Sequence, residues 1–463
     1  MQRRDLFKIA GVSAAALAIG TTANAGENNA TKVTSTATKA LRAKSSGKRV
    51  IIIGGGFGGL TIAKQLRKKN AKIEVIVLEK RDIFMACPYT NSYLGGLKGA
   101  NLEMFTRDFY APANTHGYEF IQTEVTAIDK DKKIVSTTTG TIDYDILVLS
   151  PGISYDYERQ FPKWSVEKIS HIAKTCPAAL IPGSEHLALK RELSDMDDGD
   201  VIVIPPAKGK YRCPPAPYER TAMIANYMKK EDIKGKVIVL DTRGGKFAKS
   251  KAFIESWKDV YGDRIVYKGH TEITDIDPVK KTISFKEFAD KEDKKGEDKT
   301  LKYQVCNLIP INKANPIVAI SGIKTNKSGY AAMEGTSFRS KTDKNIFVIG
   351  DAVGHKIPPS GQTAIWSAKR AALEVIAQLN GKTHDSAAGI PAENANVCFS
   401  MVNGNPNEAI MVTHSFSVNP KNGNLKGKGK VPKPKDGNGK FRSKDTGKLT
   451  AEWFDGVMRE MFL

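Results

Sequence analysis

Beyond its N-terminus the sequence has no run of 18 consecutive apolar residues, so no integral membrane segment is expected in the mature chain. It has no Cys-x-x-Cys-His, which excludes a c-type haem carried by this chain itself. Its seven histidines show no ligand-like spacing, and no metal site is expected. No internal repeat of fixed period occurs. Acidic residues are scarce beside basic ones, 50 against 71, for a net charge of +21. Such a surplus favours acidic partners, anionic surfaces or anionic substrates. Cysteines number five, an odd count. At least one is therefore free, joined to another molecule or joined to a cofactor.

What is present reads as a globular protein with a real core: 40% hydrophobic residues, 26% charged, and length for two or three domains. Arg3-Arg4, an apolar run from Ile9 to Ile19 and Ala23-Asn24-Ala25 form a twin-arginine export signal, cut after Ala25. The expected compartment is the periplasm. Removing residues 1–25 takes away three basic charges and one acidic charge and leaves +19. An exported protein seldom meets nucleic acid, so none is expected as a partner. Residues 26–47, rich in Ala, Thr, Ser and Lys, read as a linker. Much of the basic excess falls between Lys421 and Lys448, read as a solvated surface loop in preference to a docking patch.

A strand at Lys48–Ile53 runs into Gly54-Gly55-Gly56-Phe57-Gly58-Gly59, then a helical stretch to Lys69, a second strand from Ile73, and Glu79 at its end. Gly54, Gly56 and Gly59 have the spacing of a dinucleotide turn, with the pyrophosphate on the helix N-terminus and Glu79 placed for a ribose. A second α/β block has strands at Val201–Ile204 and Val237–Leu240, with a helix from Tyr218 to Lys230 between them. Its first strand lacks the glycine turn and runs into Pro205-Pro206. Proline brings no amide hydrogen to a phosphate, so reduced nicotinamide is not the expected electron donor. Residues 281–303 read as a charged hairpin, Thr363 to Gln378 as a helix, and Ala451 to Met461 as a terminal amphipathic helix.

Cys213 lies in the loop leading into the helix near Tyr218, where partial positive charge would lower a thiol pKa. Glu219, early in that helix, suits either dipole complementation or acid/base work beside the sulfur. Cys306 reads as a small core residue. His355 faces either a cofactor or the surface.

Three segments resemble two-dinucleotide-domain flavoproteins: the glycine turn, Tyr144–Gly152 with its terminal Ser150-Pro151-Gly152, and Asn345–Asp351, whose late Gly350-Asp351 binds the ribityl chain in such proteins. That resemblance implies FAD. Arg212-Cys213-Pro214-Pro215-Ala216-Pro217-Tyr218-Glu219-Arg220 is similar to the signature of the flavoprotein subunit of flavocytochrome c sulfide dehydrogenase. The family likeness implies that Cys213 pairs with Cys398 over the flavin, and that Glu219 is the catalytic acid/base. It also implies a covalent link from Cys87 to FAD, since Cys87, Asn91, Gly95 and Gly96 keep the family spacing although Ala86 and Pro88 differ. The implied activity is oxidation of hydrosulfide, with electrons passed to a separate c-type cytochrome subunit. Rival readings are a sulfide:quinone oxidoreductase and a redox-inert flavoprotein that binds or assembles exported sulfur enzymes.

The expected fold is α/β, with two Rossmann-like domains and a C-terminal α+β interface domain. The FAD-binding domain comprises 48–155 and 305–380, the second domain 156–304, and the interface domain 381–463.

Overall fold

The computed structural model describes residues 40–43, 46–207 and 209–463. The segment expected to be an export signal, residues 1–25, and most of the expected 26–47 linker lie outside the described residues.

The first domain is built on a five-stranded parallel sheet. Its order is Ile346–Val348, Ile146–Leu149, Arg49–Ile53, Glu74–Glu79 and Glu119–Gln122. The strands are short runs of Ile, Val and Leu, buried along most of their length, as expected where helices or other layers cover both faces of a parallel sheet. The helices Phe57–Lys69 and Gly361–Leu379 pack against each other beside it. A three-stranded antiparallel sheet, Val125–Asp129, Ile134–Thr137 and Gly140–Asp143, is inserted before the return strand Ile146–Leu149.

The second domain holds a four-stranded parallel sheet in the order Ile265–Lys268, Val237–Leu240, Val201–Ile204 and Val305–Leu308. The boundary expected at residue 305 is thereby corrected. Val305–Leu308 pairs with Val201–Ile204 and closes the second sheet. The chain crosses between domains at Ile153–Tyr155 and Asn312–Ala314, which pair antiparallel. The hairpin expected over 281–303 is present as Thr282–Glu287 and Glu297–Lys302, with Thr271–Asp277 as a third strand.

The C-terminal region is an antiparallel sheet of Asn396–Gly404, Asn407–Val418 and Leu425–Lys430, with Arg442–Ser443 added to the middle strand. The surface loop expected over Lys421–Lys448 is thus in part an edge strand, anchored by buried Leu425 and exposed at Lys426, Lys428 and Lys430. Alternating Lys and Gly give that strand no apolar face, so no periodicity announces it. The terminal helix begins at Lys444, seven residues before the expected Ala451, because Ser443 caps it by accepting from the Thr446 amide. It buries Phe454, Val457, Met458 and Met461, and Phe462 packs edge-on to Phe84.

Candidate active site: a dinucleotide cleft ending at two thiols

A single cleft is lined by the glycine turn, Glu79, Cys87, Gly152, Asp351, Cys213, Glu219 and Cys398. Every site residue named from the sequence falls on or beside it. Gly54 has φ +104°, and a Cβ there would lie 2.4 Å from the Ser150 carbonyl oxygen. A Cβ on Gly59 would lie 1.8 Å from the Gly54 oxygen, so helix and strand meet there only because both residues are glycine. A Cβ on Gly56 would meet nothing within 4 Å; it would project into open space at the helix start. The helix Phe57–Lys69 has no side-chain cap among the described residues and no acid in its first turn. Its leading amides and positive dipole end are left for a pyrophosphate.

Glu79 is buried and accepts from the Gly55 amide at 2.7 Å and from Arg81 at 3.0 Å. Burial pushes its carboxyl up, but Arg81 and the backbone amides more than offset this and hold it below its ordinary range. At the other end of the cleft, Asp351 accepts from Arg212 Nε at 2.6 Å through one oxygen. Its buried Oδ1 has no hydrogen-bond partner among the described residues, which suits a hydroxyl of a ribityl chain. Gly152 (φ +73°) makes room for Arg212, whose Nη2 would sit 2.7 Å from a Cβ there. The bare helix end, the glycine cradle and the orphaned carboxylate oxygen together fit FAD.

Cys87 sits between the short strand Phe84–Met85 and the helix Thr90–Leu94, with its Sγ 3.2 Å from the Leu180 carbonyl oxygen. Burial pushes its thiol up. Asn91 accepts from Arg220 Nε at 3.0 Å. Arg220, almost wholly buried, also donates to the Ala178 and Ala179 carbonyls at 2.6 Å and so fixes the floor of the cleft.

The two cysteines arrive from different directions. Cys213 lies just before the helix Ala216–Lys230, held in a left-handed conformation (φ +49°) with its amide donating to the Pro359 carbonyl. Cys398 lies on the strand Asn396–Gly404. Both side chains line the same end of the cleft, and each shifts the other's ionisation. The expectation that Cys213 is the acidified thiol is corrected. Its hydrogen bond to Cys398, then burial, then the negative neighbours Cys398 and Glu219 push it up despite the helix N-terminus. The partner thiol moves the other way: the bond from Cys213 lowers Cys398, burial opposes, and Lys249 lowers it further.

Glu219 is buried, and its Oε1 accepts from the Met401 amide at 3.0 Å. Its carboxyl is thus turned toward the strand that carries Cys398. Desolvation pushes it up to about 7, with Met401, Lys249 and Asn91 pulling the other way and Cys398 adding to the rise. A carboxyl poised there can exchange a proton near neutral pH. Lys249, which no sequence motif marked, is buried with its Nζ 3.0 Å from Ser400 Oγ, 3.1 Å from the Cys398 carbonyl oxygen and 4.0 Å from Cys398 Sγ. Only the folded chain brings it there.

His355 belongs to neither expected place. It is buried, with Nε2 2.9 Å from the Ser337 carbonyl oxygen, and Nδ1 accepts from the Leu425 amide; it ties the edge strand to the first domain. Cys306 is a core residue of the second sheet, and Cys176 is buried in the same cluster. Among the described residues no group of three or more His, Cys, Asp or Glu side chains could hold a metal ion.

The second domain's equivalent crevice, lined by Ile204, Pro205, Ala207, Leu240 and Thr242, is open but lacks the features of a dinucleotide turn. The Pro206 and Ala207 carbonyls point at Arg243, which they receive at 2.8 Å each. Carbonyls in that place repel a phosphate. Asp241, at the end of the strand Val237–Leu240 where a ribose acid would stand, is fully buried and already accepts from Tyr218, Arg243 and Tyr267.

Comparisons with known proteins fit this geometry. A family model described as the central part of the sulfide dehydrogenase [flavocytochrome c] flavoprotein chain matches residues 186–310, and one for pyridine nucleotide-disulphide oxidoreductases matches 48–174. The sulfide dehydrogenase [flavocytochrome c] flavoprotein chain of Chlorobaculum thiosulfatiphilum is 47% identical over 45 residues, 10% of this chain and 94% of that sequence. The mitochondrial sulfide:quinone oxidoreductase of Mus musculus is 22% identical over 337 residues, 70% of this chain and 69% of its own. The solved sulfide:quinone oxidoreductase of Aquifex aeolicus superposes with a TM-score of 0.67 at 19% identity, over 90% of this chain and 92% of the other. It shares the fold. With an FAD cleft that ends at two adjoining thiols, and a central region matching that family's own, this chain belongs to the sulfide dehydrogenase flavoprotein family.

Proposed function

We propose that this chain is an exported FAD-dependent sulfide dehydrogenase: hydrosulfide reacts at a Cys213–Cys398 disulfide, FAD is held covalently through Cys87, and electrons pass to a c-type cytochrome in the periplasm. The observation that carries the reading is the meeting of Cys213, Cys398 and the protonatable Glu219 at the end of the FAD cleft. FAD, when bound, supplies the two-electron sink. The chain supplies the rest. Glu219 takes up or returns the proton of the sulfur species, and Arg212, Arg220 and Lys249 give the cleft the positive surround that an anionic substrate needs. Apolar packing of Cys213 against Ile153, Leu180 and Ala216 limits water on its side of the pair. The twin-arginine segment supports the periplasmic assignment.

A second reading, with quinone as acceptor, is favoured by the names of relatives that span most of the chain. The terminal helix favours the cytochrome. Most of its apolar residues are spent inside the protein, and beside the exposed Leu449 its outer face carries Lys444, Asp445, Lys448, Glu452, Asp455 and Arg459, which suits water better than a bilayer. Among the described residues no helix is long and apolar enough to cross a membrane.

Anaerobic sulfide added to the purified protein should bleach the flavin absorbance, and cytochrome c should restore it much faster than a short-chain quinone. No bleaching would favour the redox-inert reading, and faster recovery with quinone would favour the rival enzyme. Mass spectrometry of the denatured protein should find FAD on the peptide carrying Cys87.

A further inference from the structure

We infer that Lys249 sets the polarity of the cysteine pair: hydrosulfide attacks Cys213, and Cys398 leaves as the thiolate held by the Lys249 cation. The inference rests on the disulfide chemistry proposed above and decides between its two directions.

Lys249 precedes the helix Ser250–Tyr261 in a left-handed conformation, φ +60° and ψ +25°. For a residue with a long side chain that backbone is unfavourable and persists only where the surroundings fix it. Its side chain reaches the strand opposite. Nζ has three hydrogens to give, and its neighbours are the Ser400 hydroxyl, the Cys398 carbonyl and the Cys398 sulfur. Two oxygens orient the amine and the third direction falls on Sγ. The titratable groups around this sulfur are Cys213, Glu219 and Lys249, with His414 beyond them near Lys249. Lys249 is the cation among them that touches it.

Cys213 has the opposite setting. It packs against the apolar cluster that Ile153, Leu180, Ala216 and Ile309 form. A negative charge at its sulfur would be poorly solvated, and among the described residues the groups that weigh most on its ionisation include no lysine, whereas Glu219 opposes a charge on either thiol. In thiol–disulfide exchange the sulfur that leaves is the one whose thiolate is better stabilised. The step balances as follows. Hydrosulfide forms a bond to Cys213 Sγ, the Cys213–Cys398 bond breaks, and its electron pair leaves on Cys398 Sγ. The proton stays on the outer sulfur of a Cys213 persulfide. The incoming sulfur is oxidised and the disulfide reduced by the same electron pair, with no further oxidant.

Two measurements on the holoprotein test this. In the dithiol form, iodoacetamide should label Cys398 at least ~10-fold faster than Cys213 at neutral pH, read by peptide mass spectrometry. Lys249→Met should slow Cys398 labelling ~10-fold or more and move its pH midpoint up. Lys249→Arg should restore most of the rate. Cys398 labelling unaltered in Lys249→Met would overturn the inference. If that variant does not fold, the wild-type protein decides: one equivalent of sulfide followed by rapid alkylation should leave the persulfide on Cys213, and a persulfide on Cys398 overturns the polarity. A persulfide on neither cysteine, with unbleached flavin, sinks the sulfide reading instead, while the labelling contrast still decides what Lys249 does to Cys398.

Discussion

The chain builds one architecture twice and uses it in opposite ways. Both domains present the C-terminal ends of parallel strands to a crevice, the usual place for a ligand in such folds. In the first, Gly54, Gly56 and Gly59 clear the approach, and the helix Phe57–Lys69 offers bare amides. In the second, Pro205 and Pro206 stand at the turn, carbonyls replace amides, and Asp241 is saturated by Tyr218 and Arg243. The sheet therefore does not decide what binds. A handful of turn atoms does, through their charge and the room they leave. In the second domain the segment after the turn brings Cys213 to the first domain's cleft, and the helix after it brings Glu219.

The sharpest way to break this contrast is to close the first turn. Gly59→Ala places a methyl where 1.8 Å separates it from the Gly54 oxygen, backbone against backbone with nothing flexible to yield. The protein should purify without FAD and lose about 3 kcal/mol or more of stability, read by absorbance and by chemical denaturation. FAD retained at full occupancy would mean the turn is not the phosphate cradle.

The matching change in the second domain should cost stability without touching the cofactor. Asp241→Ala leaves Arg243 and two tyrosine hydroxyls facing a buried gap, a loss of about 3 kcal/mol, with flavin content unchanged. Neither the wild type nor this variant should be bleached by NADH. Bleaching by NADH at a rate matching sulfide would show that the second crevice still takes a dinucleotide.

The same contrast explains which parts were legible in the sequence. The first turn reads directly because its glycines answer local demands of backbone and phosphate, and Ile, Val and Leu runs mark the buried strands around it. Cys213 and Glu219 stand out by their place at the start of a helix, whereas Cys398 and its pairing with Cys213 come from resemblance to a family signature, since nothing in 213 and 398 themselves says that they meet. Val305–Leu308 was assigned to the wrong domain because a strand's sheet is chosen by its neighbours in space. Leu425–Lys430 escaped notice because Lys and Gly carry no pattern of burial. Lys249 was invisible for a related reason. Between Phe247 and Ser250 it looks like any surface lysine, and its meaning comes from a strand about 150 residues later in the chain. The direction of the Cys213 shift was misread because the helix end is a local feature, whereas the neighbouring thiol and the burial that outweigh it are not.

Two buried glutamates of the cleft, Glu79 and Glu219, carry the comparison to pH, and here the expected effect is smallest. Glu79 is held below its ordinary range, so its contribution to stability is present above the unfolded value of 4.5 and is lost as pH falls through the folded value. Glu219 runs the other way. Below 4.5 its carboxyl is protonated whether the chain is folded or not. Between 4.5 and about 7 the unfolded chain releases that proton while the folded chain keeps it, so stability falls as pH rises across that window. Glu219→Gln keeps an acceptor for the Met401 amide and removes the titration. At pH 8 the variant should be more stable than the wild type by about 1–3 kcal/mol, and at pH 4.5 the two should be nearly equal. The same variant should oxidise sulfide about 100-fold more slowly and lose the inflection near pH 7 from its rate profile. Stability gained together with activity lost is the pattern of a proton site kept for chemistry. Equal stability at both pH values would return Glu219 to the role of a helix-end charge.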